Sequence, residues 1–179
     1  MASATKLIDV PELLEIPDPP GGRYELHHGQ LFAVTFSKFG HTEIQGGLTE
    51  LLGPFASGRG RLCAEFPFRA QPRFELRAAD VGFVTSARLA GISRDDYLLG
   101  APDLVIEVLS PSNQKGDMVR RRMLCLANGC AEFWLVDSRR KSVTIYRPDG
   151  SEVTYGEGDV IPLTLPGPGE LAVRRIFSV

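Results

Sequence analysis

Apolar positions along this chain switch between a helical and a strand period, and the switches mark out its elements. From His41 to Phe55 the residues Ile44, Leu48, Leu51, Leu52 and Phe55 recur at three- and four-residue intervals, with Pro54 and Gly58 marking the end. That spacing predicts a long helix. A second helix is predicted over about 117–128, closed by Gly129. Short β-prone runs predict strands at about 61–69, 74–76, 80–85, 103–109, 131–136 and 142–147. Upstream, Tyr24-Glu25-Leu26 and Leu31-Phe32-Ala33-Val34 flank the turn His27-His28-Gly29-Gln30 and read as a β-hairpin. Pro17, Pro19, Pro20, Gly21 and Gly22 set off an N-terminal arm over residues 1–22. The Pro- and Gly-rich tail is expected to hold one short closing element over 171–177. Helix, strands, helix, strand, in that order, predicts an α/β fold with a mixed β-sheet flanked by helices.

Composition supports one domain over residues 1–179, since 43% hydrophobic content in a chain of this length fills one core and is short for two. The cysteines Cys63, Cys125 and Cys130 form neither a CxxC pair nor an even framework, so they read as reduced, buried thiols. No basic start followed by an apolar run resembles a signal peptide, and no stretch is long enough to span a bilayer. A cytoplasmic protein is expected. A net charge of -2 argues against bulk electrostatic coating of nucleic acid. The charge is uneven, however. Residues 58–94 hold seven arginines against three acids, while residues 1–57 hold three basic residues against seven acids, so the middle of the chain is a candidate phosphate-facing surface.

The candidate chemistry lies on the strands. In Pro102-Asp103-Leu104-Val105-Ile106-Glu107-Val108-Leu109, alternation places Asp103, Val105 and Glu107 on one face and Leu104, Ile106 and Val108 on the other. A carboxylate in such an apolar run is costly unless it is paired, protonated or bound to a cation. Asp80 heads a similar run, Asp80-Val81-Gly82-Phe83-Val84. Two acid-headed strands close in sequence suggest one hard-cation site. His41 shares a helix face with Ile44, Gln45 and Leu48, while Glu43 and Glu50 fall on more polar sectors. Trp134, beside Phe133 on an apolar strand, reads as core.

Tyr24-Glu25-Leu26 with Gly29, the helix opening at His41, Asp80-Val81, the run Ala101 to Val108 with Ser110-Pro111-Ser112, Gly129, and Glu132-Phe133-Trp134-Leu135-Val136-Asp137 follow one another in an order that resembles the Uma-type restriction endonuclease family of the PD-(D/E)xK nuclease superfamily. The resemblance covers most of the chain and implies a restriction-endonuclease-like fold and Mg²⁺- or Mn²⁺-dependent hydrolysis of DNA by a homodimer. It implies Asp80 and Glu107 as metal ligands and catalytic acids, with the Val108 carbonyl as a further oxygen. Asp103, His41, Glu25 and Glu43 are additional candidates. This chain departs from the family pattern at the lysine. Leu109 stands two residues after the strand glutamate, and Arg121 occupies the helix position where the family carries lysine. An arginine clamps a phosphate but essentially never gives up a proton, so it cannot serve as a general base. Lys115 is a possible substitute. The departure keeps open a second reading, a degenerate member that binds nucleic acid or protein without turnover. A third is a hydrolase of small phosphate esters, since fold does not fix substrate.

Overall fold

The computed structural model describes residues 6–110 and 115–178, with the side chain of Lys115 excepted. It begins with a short helix, α1 (Val10–Leu14), closed by a reciprocal capping box between Asp9 and Glu12. The predicted arm therefore includes an ordered helix, which packs Val10 and Leu13 against Leu26 and Leu76. The hairpin follows as β1 (Gly22–His27) and β2 (Gln30–Thr35). Its turn is tighter than the sequence suggests: His27 pairs with Gln30, leaving two residues at positive φ, His28 at 49° and Gly29 at 76°. Two successive left-handed residues match the right-handed twist of the flanking strands, which is why Gly29 belongs there.

Helix α2 (Phe39–Ala56) buries Ile44, Leu48, Leu52 and Ala56, one residue per turn along a single stripe. Pro54 lies inside its last turn rather than ending it, and Gly58 at φ 73° makes the exit. Strands β3 (Gly60–Arg69) and β4 (Arg77–Thr85) then pair antiparallel. The short α3 (Ser86–Leu89) and β5 (Leu98–Leu99) lead to β6 (Leu104–Val108), α4 (Lys115–Ala127) and β7 (Glu132–Asp137). Gly129 takes φ 102° just past α4, where the Cys130 amide reaches back to the Cys125 carbonyl, so it caps that helix as expected.

The remaining elements are β8 (Ser142–Tyr146), β9 (Glu152–Tyr155), β10 (Val160–Leu163), β11 (Gly169–Ala172) and a 3₁₀ turn (Val173–Phe177). Three of these strands fall in the tail where one closing element was expected. Conversely, the strand predicted at 74–76 is absent: Leu76 makes only an isolated bridge to Leu26, tying hairpin to sheet.

Seven strands form one sheet in the order β5-β3-β4-β6-β7-β8-β9, antiparallel except at β3/β5 and β6/β7. The parallel β6/β7 pair requires a crossover, and α4 is that crossover. Strand β6 is consequently buried at every position, with Leu104, Ile106 and Val108 in the cluster beneath α2 and Val105 in the cluster with Cys125 of α4. The α2-side core also takes in Ile161, Leu163, Leu171 and Ile176 from the tail. Trp134 is fully buried there, as expected of a core residue.

Candidate functional site

Register brings the two candidate carboxylates alongside each other. Val81 pairs with Ile106 on the antiparallel β4/β6 ladder, so one step further along places Asp80 beside Glu107. Asp80 is the fourth residue of β4 rather than its head, a correction that follows from β4 opening at Arg77. Pairing between β3 and β4 runs through Ala64 with Val81 and Phe66 with Ala79, skipping Glu65 and Asp80. Glu65 sits there at φ 51°, a left-handed conformation uncommon outside glycine. The break frees Asp80 from the ladder at the point where its side chain is used.

Asp80 is held from two directions. Its Oδ2 accepts the Val108 amide at 2.7 Å, which ties β4 to the end of β6. Its Oδ1 accepts Nε2 of Gln45 at 2.9 Å, and Nε2 of His41 stands 3.1 Å away at ion-pair distance but off the hydrogen-bond direction. The Asp80 carboxylate raises the proton affinity of His41, against the opposing effect of burial. Gln45 donates also to Glu65 at 2.8 Å, and Glu65 pairs with Arg23 of β1 at 2.8 Å.

Glu107 is held from the opposite face. Arg121 of α4 donates from Nε to its Oε1 at 2.9 Å, from Nη1 to Glu25 at 3.5 Å, and from Nη2 to the Ala78 carbonyl. Glu25 also accepts the Ala78 amide at 3.0 Å and faces His27 Nε2 at 2.9 Å. All three charged side chains are nearly sealed, at 6% exposure for Glu107, 4% for Glu25 and 11% for Arg121. Burial raises Glu25, but Arg121, His27 and the Ala78 amide outweigh it and bring the group down to about 2. Glu107 goes the other way. Burial, reinforced by the negative charges of Asp80 and Glu25, overcomes Arg121 and pushes it up to about 8. Arg121 is raised: both carboxylates hold its proton against the cost of burial.

The donor set fits a hard divalent cation. It is all oxygen, Glu107 and Glu25 share one guanidinium, and the charged form of Glu107 is disfavoured by its burial and by Asp80 and Glu25, a cost a cation would relieve. Among the described residues no three Asp, Glu, His or Cys side chains converge on one point. Mg²⁺ commonly uses one or two carboxylates with water and phosphate oxygens completing its shell. Asp80, Glu107 and the Val108 carbonyl make up a set of that kind.

The fold brings together Asp80, Glu107, Arg121, Glu25 and His41, with Val108 bridging. It does not bring Asp103. Four residues along a strand amount to about 13 Å, and its carboxylate is spent on the turn after β4, accepting the Thr85 amide at 2.8 Å and Arg88 at 3.1 Å. Glu43 is exposed on α2 and makes no contact with the cluster among the described residues. Lys115 opens α4, but its side chain lies outside the described residues, as does the Pro111-to-Gln114 segment. Asp117, four residues before Arg121, pairs instead with Arg120. Sequence reasoning missed Glu65 and Arg23. Gln45, one turn beyond His41 on the same face, was the legible one.

Five of the seven arginines of residues 58–94 make contacts within the chain, though only Arg77 is buried. Arg77 pairs with buried Glu75 at 2.7 Å, Arg69 with Asp96, Arg73 with Asp9 and Arg88 with Asp103, while Arg59 donates to the Phe55 carbonyl.

The structure is similar to the crystal structure of a protein from Anabaena variabilis ATCC 29413 described as a "putative nuclease belonging to DUF820", with a TM-score of 0.78 and 20% sequence identity over 96% of this chain and 98% of that one. At that identity the likeness establishes a shared fold. No curated protein matches the sequence. Residues 10–174 match the family model named Uma2, nearly the whole span over which the motifs, the hairpin and the seven-stranded sheet were traced, and the chain therefore belongs to the family described as "Uma2: Putative restriction endonuclease".

Proposed function

We propose that this protein is an endonuclease that hydrolyses DNA phosphodiester bonds with Mg²⁺ or Mn²⁺ held by Asp80, Glu107 and the Val108 carbonyl. The observation that carries the reading is the pair of carboxylates on adjacent central strands, each secured by a helix from a different face of the sheet. A cation bound there would supply charge neutralisation and a water made nucleophilic near neutral pH. Around it, Gln45 and the Val108 amide fix the Asp80 carboxylate, and His41 stands beside it at ion-pair distance. Arg121 aligns Glu107 and Glu25 and offers positive charge to a phosphate oxygen. Membership of this family and the shared nuclease fold support the reaction class. Support for DNA as substrate comes from Phe36 and Phe39, 71% and 78% exposed around exposed Lys38 at the start of α2, which present stacking faces beside a cation two turns or less from His41. A homodimer is the unit we propose, because one centre cuts one strand.

Arg121 also favours a second reading. Its guanidinium already satisfies Glu107 and Glu25 in the way a bound cation would, which suits a member that keeps the fold and binds nucleic acid without turnover. Incubating supercoiled plasmid with Mg²⁺, Mn²⁺ or EDTA separates the two. Metal-dependent nicking or linearisation that is lost in Asp80→Ala and Glu107→Ala supports the endonuclease; an inert wild type that still shifts DNA at low salt supports the binder. Cleavage unaffected by EDTA would sink the metal assignment.

A further inference from the structure

A cavity beside α4 is lined by none of the side chains placed in the candidate centre. Consecutive residues on a helix point about 100° apart, so Arg121 and Arg122 leave α4 on different flanks. Arg121 reaches toward β6 and β4, where Glu107 and the Ala78 carbonyl receive it. Arg122 reaches the other way, its guanidinium carbon 4.0 Å from the centre of the Tyr146 ring on β8. Beneath it the sheet and helix enclose a cavity of about 460 Å³, within the range of roughly 300–1,000 Å³ usual for small-molecule sites.

The floor of this cavity is Phe133, Leu135 and Tyr146, and its rim carries Arg122, Arg139 and Arg140. Among the described residues the only acid lining it is Asp137. That carboxylate is tied into the β7–β8 turn, accepting the backbone amides of Arg139 at 3.0 Å and Arg140 at 3.1 Å, with the Arg140 Nε at 3.9 Å. Three guanidinium groups around an aromatic and aliphatic floor are an unusual concentration in a chain of net charge -2. They fit a ligand with one flat apolar ring and one anionic end. The guanidinium stacked on Tyr146 leaves its outer face for a planar ring, a mode of contact that nucleobases use. Exposed Arg139 and Arg140 suit bidentate contact with phosphate oxygens.

We propose that this cavity binds a nucleoside 5′-monophosphate, base against Arg122 and Leu135, phosphate against Arg139 and Arg140. Its lining shares no residue with the Asp80 and Glu107 centre, although Leu135 pairs in register with Glu107, and the proposal does not depend on that centre's being catalytic.

Calorimetric titration of the whole protein with each of the four deoxynucleoside monophosphates tests it, run beside deoxyribose 5-phosphate, which lacks the base, and the nucleosides, which lack the phosphate. At least one monophosphate should bind more tightly than both of its fragments. The Arg139→Ala/Arg140→Ala double variant, which alters an exposed turn, should weaken it by about tenfold or more, a loss of about 1.4 kcal/mol. Leu135→Trp, which fills the floor, should abolish binding while thermal melting shows a folded protein. Binding of deoxyribose 5-phosphate as tight as that of the nucleotides would mean surface attraction for anions and would overturn the proposal. So would nucleotide affinity unchanged in a folded Leu135→Trp protein, or no binding of any monophosphate at millimolar concentration.

Discussion

Replacing Arg121 with alanine tests the electrostatic account of the site most directly, because one side chain there balances two buried carboxylates. The substitution removes the 2.9 Å bond to Glu107, the 3.5 Å contact with Glu25 and the donor to the Ala78 carbonyl. Glu25 retains His27 and the Ala78 amide, so the loss falls mainly on Glu107. Breaking a buried ion pair by deleting one partner costs about 3–5 kcal/mol. Glu107 is already pushed up to about 8, so at neutral pH it takes a proton rather than remaining as a naked charge, and the cost should sit near the lower bound. About 3 kcal/mol corresponds to a fall in Tm of roughly 6–12 °C for a chain of this size. Differential scanning calorimetry at pH 7 reads it directly. The deficit should widen at pH 9, where Glu107 of the wild type ionises against Arg121 and that of the variant has no partner to do so, and Mn²⁺ should raise the Tm of the variant more than that of wild type, since a cation then takes the place of the guanidinium beside Glu107. A variant that melts within about 3 °C of wild type, equivalent to roughly 1 kcal/mol, and is indifferent to Mn²⁺ would refute the view that Arg121 is the counter-charge of this site.

Other outcomes follow from the same contacts. Glu107 is protonated in the folded state up to about 8 but only to its ordinary 4.5 in the unfolded chain, so between those values the unfolded state has released a proton that the folded state keeps. Metal-free stability should therefore fall as pH rises from about 4.5 through about 8, and Glu107→Gln should flatten that slope; chemical denaturation across the range would show an unchanged slope if Glu107 were not the group. Asp103→Ala should cost about 1–3 kcal/mol through the stranded Thr85 amide and Arg88, while calorimetry finds metal affinity unchanged; a lost metal site would return Asp103 to the centre. Burial pushes the Cys125 thiol up to about 12 and raises Cys130 and half-buried Cys63 as well, so a thiol reagent at pH 8 should label the native protein slowly and all three cysteines promptly in denaturant. Fast native labelling of Cys125 in peptide mass mapping would contradict its burial.

The features that the sequence determined alone are those carried by local period and local chemistry. A stripe at helical spacing located α2, the Gly129 cap marked the end of α4, alternation assigned the two faces of β6, and a Gly at positive φ closed both the hairpin turn and α4. Glu107 was conspicuous for the same reason, since a carboxylate among five buried positions needs an explanation wherever the strand ends up. Elements stabilised by distant partners were not legible in this way: β9, β10 and β11 are short strands in a Pro- and Gly-rich tail that gain their order by covering the α2-side core. Asp103 and Glu107 share a strand face and look equivalent in one dimension, yet the antiparallel register sets Asp80 beside Glu107 and leaves Asp103 at the far end with Thr85 and Arg88. Arg121 sits in a run of three arginines that composition and period do not distinguish, and only the family resemblance singled it out. Helix packing sends Arg120 to Asp117, Arg121 into the carboxylate cluster and Arg122 onto Tyr146, because direction around a helix acquires chemical meaning only once the sheet and hairpin are in place on either side.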